Sequence, residues 1–511
     1  MTSFNRRNVL QLGAAGAALT AMPHAARSAP SRGGVLRIGK AHGSTTDSLD
    51  PQTWENDFTI GHTFSTNNFL TSIDEQNQLE PEIAESWEAS PDAKQWVFKI
   101  RQGVTFHNGK DVTAEDVVAS INHHRGEGTK SAAAGIVAQI EDIKADGGNV
   151  VVTLAGGNAD FPYIMSDYHL AIMASADGKI LWQDAIGCGP YKMTAFEPGV
   201  RSAYERNPDY WKSDRAWFDG IEMTSVGDSA ARINGLLTGQ LDVIDRVDLK
   251  TVDRLKRAPG IAVEQTNGNQ HYTMPMDVRV GPFDNNDVRM ALKFALDREE
   301  LLQKILRGYG TVGNDHPIGP ANTYLATDLE QTTYDPDKAK FHLKQAGLDS
   351  LTVDLHMSEA AFAGAVDAGV LYSENAKAAG ITINVVREPA DGYWSNVWMK
   401  KGWVGSYWGG RPTEDWMLSQ AYQSGADWNE AHWSNERFDT LLKEGRAELD
   451  AAKRGEIYGE MQRILRDEGG SVIPMFSSYV FARSTKLDHG PNMASNWDMD
   501  GHKLVERWWF A

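Results

Sequence analysis

Seven of the 16 tryptophans fall within residues 394–433: Trp394, Trp398, Trp403, Trp408, Trp416, Trp428 and Trp433. Some must serve the core, where large aromatics usually go. One stretch is built differently. Ser406-Tyr407-Trp408-Gly409-Gly410-Arg411-Pro412-Thr413-Glu414-Asp415-Trp416 is broken by glycine and proline and mixes rings with a guanidinium and two carboxylates. Loops of that make-up line ligand clefts, the rings supplying area and the charges fixing orientation. The expected contacts are Tyr407, Trp408, Arg411, Glu414, Asp415 and Trp416, with Trp394 beside them.

Arrangements that carry covalent or metal chemistry fail one by one. Gly308-Tyr309-Gly310-Thr311-Val312-Gly313 spells a dinucleotide loop but follows a helix pattern and runs into Asp315-His316-Pro317, so it reads as a turn. Gly103 to Lys110 resembles a phosphate loop, yet it is one residue too long and Asp111 stands where Ser or Thr is needed. Asn496, Asp498, Asp500 and Gly501 mimic the start of a calcium loop, but its twelfth position is Arg507 rather than a carboxylate. There is no H-E-x-x-H and no G-x-S-x-G. His123 and His124 sit side by side and point in different directions, as surface polar residues do. Cys188, the one cysteine, is boxed by Gly187, Gly189 and Pro190 and reads as part of a tight turn. A single cysteine also excludes an intrachain disulfide and a multi-cysteine metal site. No linear motif for a catalytic residue, a metal or a cofactor survives, and none of the three is expected.

The elements that must position the loop alternate between strand and helix. Val35–Ile38, Trp96–Ile100, Asn149–Leu154, Leu351–Leu355 and Ile381–Val386 are strand patterns. Thr113-Ala114-Glu115-Asp116 is a capping box. Asn285 is placed to cap a helix whose apolar face runs from Val288 to Leu306 and ends at Gly308. Asp335-Pro336 opens another helix that stops at Gly347. Tyr458, Met461, Ile464 and Leu465 stripe a late helix, and Val472–Phe476 follows it. This alternation in both halves predicts two α/β lobes.

Composition sets the outer bounds. At 511 residues the chain is long enough for two to four domains with ample cores. Its formal charge of −19 disfavours nucleic acid or anionic lipid as the main partner. Arg6 and Arg7 precede an apolar, small-residue run from Val9 to Met22, and no acid occurs before Asp47. That is the layout of an export signal, with the arginine pair resembling the twin-arginine type. Residues 1–28 are the expected signal. No cysteine lies near the cleavage zone to carry a lipid, so the mature chain is expected to be exported and unanchored.

An ordered series of motifs then resembles a known family. Leu79-Glu80-Pro81-Glu82-Ile83-Ala84-Glu85-Ser86-Trp87 leads into Trp96–Lys110 and Thr113-Ala114-Glu115-Asp116-Val117. Gly189-Pro190-Tyr191, Arg206-Asn207-Pro208-Asp209-Tyr210-Trp211, Gly239-Gln240-Leu241-Asp242, Asp287-Val288-Arg289 and Tyr334-Asp335-Pro336 follow in order. The series is similar to the family 5 extracytoplasmic solute-binding proteins of ABC importers, the dipeptide, oligopeptide and nickel type. The resemblance implies a type II-like two-lobed periplasmic-binding-protein clamp. Lobe I would hold 29–275 with a subdomain inserted at about 70–190. Lobe II would hold 276–482, and 483–511 would return to lobe I. It also implies a periplasmic monomer that hands a peptide-like solute to a permease and its ATPase, with the solute held between the lobes. Trp87 and Trp211 then become scaffold.

The family architecture places further contacts in the first-lobe loop, His42 to Thr46, and at Tyr272, near the first crossing. In peptide-binding members an aspartate three residues after the loop tryptophan takes the ligand's amino terminus, and counting from Trp408 that position is Arg411. A guanidinium there repels an ammonium and favours a carboxylate or phosphate. Glu414 or Asp415 could still take an amine, or could pair with Arg411. An opine-like conjugate or an oligosaccharide is the alternative solute. An exported hydrolase or a ligand-presenting sensor partner is the alternative from another class.

Overall fold

The computed structural model describes residues 29–127, 129–390, 392–411 and 413–511. The expected export signal lies outside the described residues. Among those described, no helix is long and apolar enough to cross a membrane.

A mixed nine-stranded sheet runs through the molecule. Val35–Lys40 pairs in parallel with Gly220–Ser225 and with Val243–Ile244, burying Leu36 and Ile38 against Phe58, Tyr191, Ile221 and Trp508. Two long strands, Ile261–Pro275 and Ser471–Ser484, then pair antiparallel from Ile261 opposite Ser484 to Pro275 opposite Ser471. Their register slips between Asn267 and His271. On one side of the slip, Ala482 and Arg483 pair with Val243–Ile244 and join the first lobe. On the other, Met475–Ser477 pair with Gly310–Val312 while His271–Thr273 pair with Ser406–Trp408, in the second lobe. The two lobes are therefore halves of one hydrogen-bonded sheet, and the crossing lies inside each long strand. The sequence reading put the return at residue 483, one residue before that strand ends.

An insertion in the first lobe carries its own antiparallel sheet: Ala84–Ala89, Gln95–Ile100, Asn149–Leu154 and Ile140–Asp146. The helix Ala114–Asn122 covers it, started by the expected capping box of Thr113 and Asp116. This sheet has a separate core around Phe98, Val117 and Val152. In the second lobe, Leu351–Met357 and Ile381–Arg387 pair in parallel beneath the helix Ala365–Ala376. Such alternation of strand, helix and strand gives the α/β clamp its second half.

Three local expectations differ. The helix expected to run from Asn285 to Gly308 is two, Asn286–Phe294 and Arg298–Ile305, because the Asp297 side chain accepts from the Glu300 amide and starts a new N-terminus. The glycine-rich stretch 308–313 contributes a short strand, Gly310–Val312, rather than only a turn. His124 is buried with Nδ1 at 2.6 Å from Ser131 Oγ, and His123 bonds Asp50 at 2.8 Å, so neither is a free surface residue.

Arg298 shows how polar groups tie the second lobe together. Its Nη2 lies 2.6 Å from Asp315 Oδ2, both side chains buried, and Asp315 Oδ1 accepts from the Ile473 amide at 2.9 Å. Arg298→Met is expected to cost about 3–5 kcal/mol by leaving the carboxylate uncompensated. Adding Asp315→Leu should recover part of that loss, and denaturant melts of the two variants check both steps.

Candidate ligand-binding site

The binding loop is positioned by the sheet. Ser406–Trp408 is an edge strand on Ile261–Pro275, with Tyr407 opposite Tyr272 and Trp408 opposite His271. Residues directly opposite share a face, so Tyr407 and Tyr272 lie together and Trp408 lies on the other side. Tyr272 stacks on Phe362, ring centroids 4.0 Å apart and planes at 12°. It lines a cavity of about 580 Å³ between the lobes, with Tyr479 of the crossing strand, Arg246 and Asp498 from the first lobe and Lys304, Arg307 and Asp367 from the second. Tyr407 lines a second cavity of about 280 Å³ with Trp394, Trp398, Trp408, Trp428 and Glu430, and Arg411 adjoins them. The Tyr272–Tyr407 pair thus gives one ring to each cavity.

Past the strand, Gly410 turns the chain at φ +85, where a Cβ would meet the Asn269 backbone at 2.9 Å. The turn carries Arg411 over two indoles, 5.3 Å from Trp408 and 5.7 Å from Trp416. Its Nε donates to Gln420 Oε1 at 2.7 Å and its Nη1 to the Gly410 carbonyl at 2.6 Å. No described carboxylate lies within ion-pair distance of it. Burial pulls its pKa down, opposed by Tyr168 and Asp167 of the first lobe.

The two loop carboxylates are engaged elsewhere. Both open the helix Glu414–Ala421, which Thr413 caps. Asp415 pairs with Arg446, at 2.9 and 3.1 Å, and accepts from Ser419. Glu414 is buried, and its Oε1 accepts from the Tyr324 amide at 2.7 Å. Neither lines either of these two cavities, and neither pairs with Arg411. Trp416 backs Arg411. His42 stands one residue away from the interlobe cavity: its Nδ1 is 3.1 Å from Asp57, which holds cavity-lining Arg246 at 2.6 Å. Thr46 bonds Ser44 at 2.7 Å within its own exposed loop and lines neither cavity.

Trp398, Trp428 and Glu430 are wall residues that the loop motif did not contain. The two tryptophans belong to the aromatic cluster visible in the sequence. Glu430 had no signal, because 22 residues separate it from Trp408. Cys188 is buried with its thiol pushed up to about 12, as an unreactive packing residue.

Across the cleft mouth the lobes touch directly. The Ala159 amide donates to the Arg446 carbonyl at 2.7 Å, and Arg454 forms an ion pair with Asp160. Burial, and then the charge of Asp160, push Glu414 up to about 7. Between the ordinary glutamate value and 7, the folded chain keeps a proton that the unfolded chain has lost, so stability falls as pH rises through this window. Glu414→Gln is expected to raise stability by up to about 3 kcal/mol at pH 8 and by almost nothing at pH 4, where the folded group is already neutral. Melting curves at the two pH values check the difference.

A family model for bacterial extracellular solute-binding proteins, family 5, middle region, matches residues 78–430. The dipeptide-binding protein of Escherichia coli K12 is 25% identical over 441 residues, 77% of this chain and 80% of that protein. Heme-binding protein A of Haemophilus influenzae is 26% identical over 450 residues, 79% of this chain and 80% of that protein. The structure of HbpA2 from Haemophilus parasuis shares the fold at a TM-score of 0.79 and 20% identity, over 89% of this chain and 96% of that chain. The two-lobed sheet, the cleft between its halves and a match over more than half of the sequence agree: this chain belongs to the family 5 bacterial extracellular solute-binding proteins.

Proposed function

We propose that this chain is the periplasmic substrate-binding component of an ABC import system, capturing a peptide or peptide-like solute between its lobes. A permease and its ATPase are the partners at the membrane, the chain acts as a monomer, and residues 1–28 direct export. Lobe I, 29–275 with its insertion and the tail 483–511, closes on lobe II, 276–482. Lobe closure around a solute is the motion such a hinge supports. The dipeptide-binding relative supports the peptide class. The heme-binding relative, at similar identity, shows that solute identity has to be read from this chain's own walls.

One observation carries the finer reading. Arg411 presents a guanidinium in the cavity wall, held by two rings and neutral acceptors, with no described carboxylate on it. A planar fork in that state selects a carboxylate by paired, charge-assisted hydrogen bonds. Glu414 and Asp415 already have partners, so the loop offers no free acid for an amine. The solute therefore enters with an acidic end towards Arg411. This fits a peptide carboxyl terminus or an opine-like conjugate better than a neutral oligosaccharide.

A thermal-shift series tests it. At 100 times its dissociation constant a ligand adds roughly 2.7 kcal/mol. Di- and tripeptides and opine-like conjugates with free carboxylates are expected to raise the melting temperature, and their carboxamides are not. Arg411→Gln should weaken the free acids at least roughly tenfold, the value of one charged hydrogen bond. Equal shifts from acids and amides would remove Arg411 from the site. No shift from any solute in the series would overturn the peptide assignment.

A further inference from the structure

The cavity beside Arg411 has a wall that an anion does not use. Ring contacts run in an open series along it. Tyr407 meets Trp394 at 5.8 Å, Trp394 meets Trp398 at 5.8 Å, Trp398 meets Trp428 at 6.3 Å and Trp428 meets Trp408 at 5.7 Å. Tyr407 and Trp408, the two ends of this series, are neighbours on one strand and project to opposite sides of it. Three of these pairs meet edge to face, at 64°, 76° and 81°, and Trp428 is tilted at 51° to Trp408, so the rings stand as the sides of an open box. Three of the five rings stay exposed, Trp394 at 40%, Tyr407 at 44% and Trp428 at 46%. So much aromatic surface held open in one place marks a binding site.

Glu430 anchors the box. Trp398 Nε1 donates to its Oε1 at 2.5 Å, Ser406 Oγ to the same oxygen at 2.6 Å, and Trp408 Nε1 to its Oε2 at 3.0 Å. An indole N–H can only donate, so each oxygen accepts at least one bond; burial raises the group's pKa above the usual glutamate range, and the three donors oppose that rise. These bonds lie in the planes of two indoles and fix how their faces stand. Among the described residues no Lys, Arg or His is within ion-pair distance of Glu430, although it is buried and lines the cavity. An acid buried without a counter-charge, beside a cavity walled by aromatic faces, is stabilised in its ionised form by a cation that enters the cavity, and so favours one.

We propose that these five rings and Glu430 form a cage for an alkylated ammonium group of the solute, with Arg411 taking the carboxylate of the same molecule. The ligand class is a zwitterion with a methylated or otherwise alkylated nitrogen, such as a betaine-like acid or an N-alkylated amino-acid conjugate. A bare ammonium needs hydrogen-bond acceptors all round, whereas an alkylated one asks for ring faces and one distant negative charge, which this cavity supplies. This inference rests on the reading of the chain as a solute-binding component.

Calorimetric titration of the purified protein tests it with two matched pairs. Trimethylammonio-acetate and trimethylammonio-butanoate are each compared with the isostere in which tert-butyl replaces the trimethylammonium. The expected result is at least a roughly tenfold preference for the cation in one pair, as a desolvated cation–ring contact supplies. Glu430→Gln, which can keep a hydrogen-bonded floor, should reduce that preference to below roughly threefold. Trp394→Leu, at an exposed wall position, should reduce it with an unchanged melting curve. Isosteres that bind as well as the cations would overturn the cage, as would a preference untouched by both variants. If neither pair binds while a solute of the peptide series does, the cage falls and the importer reading stands. If nothing in either series binds, both fall.

Discussion

The pairing of Ile261–Pro275 with Ser471–Ser484 is the constraint on which the molecule depends. Each strand belongs to both lobes, so the backbone groups of each must be satisfied on both sides of the crossing. The ladder meets this demand by slipping twice, between Asn267 and His271 and again between Tyr272 and Met274, and by giving Ser477 to Gly310 at the first slip. Gly268 sits in the first slip, where a Cβ would stand 2.2 Å from the Tyr479 ring. Tyr479 lines the interlobe cavity, so the irregularity of the ladder and the wall of the cleft are one feature. The binding strand Ser406–Trp408 is then an added edge on the same ladder, which sets its Tyr407 in one cavity beside Tyr272 in the other.

Buried charges fix what the sheet leaves free. The C-terminal tail returns Lys503 and Glu506 to a cluster with Glu82 and Lys212, at 2.8 to 3.1 Å for the shorter contacts. Opposite charges hold the two acids well ionised despite burial: Lys212 and Lys503 keep Glu82 and Glu506 below the usual glutamate range. Removing one member would strand the others, so the cluster acts as a clasp between the insertion and the tail. Trp211 adds its indole to the same region, with Arg101 at 4.7 Å and Lys212 at 5.0 Å over its ring.

Much of the fold was legible because local patterns decided it. The capping box at Thr113, the proline start at Pro336 and the strand runs at Val35, Asn149 and Leu351 each became the element they signalled. The broken helix at Asp297 shows the limit: an apolar face continues across a gap that one capping carboxylate creates. The site was legible in its aromatics and in Arg411, which sit close together in the chain. The fate of its carboxylates was not. Asp415 answers to Arg446 and Glu414 to Tyr324, partners 31 and 90 residues away, and Glu430 reaches the cavity from beyond the motif. Long-range pairing of short polar side chains leaves no period in a sequence.

The ion pair between Asp160 and Arg454 joins the lobes through residues outside the crossing strands, with both groups buried. Its free energy is spent on closure whether or not a solute is present. A stronger latch raises the resting share of closed molecules and with it the apparent affinity for every solute that fits. It also narrows the gap between loaded and empty forms, the only difference that a partner reading shape alone could detect. Affinity and fidelity therefore pull on this one contact in opposite directions, and its strength sets the compromise between them.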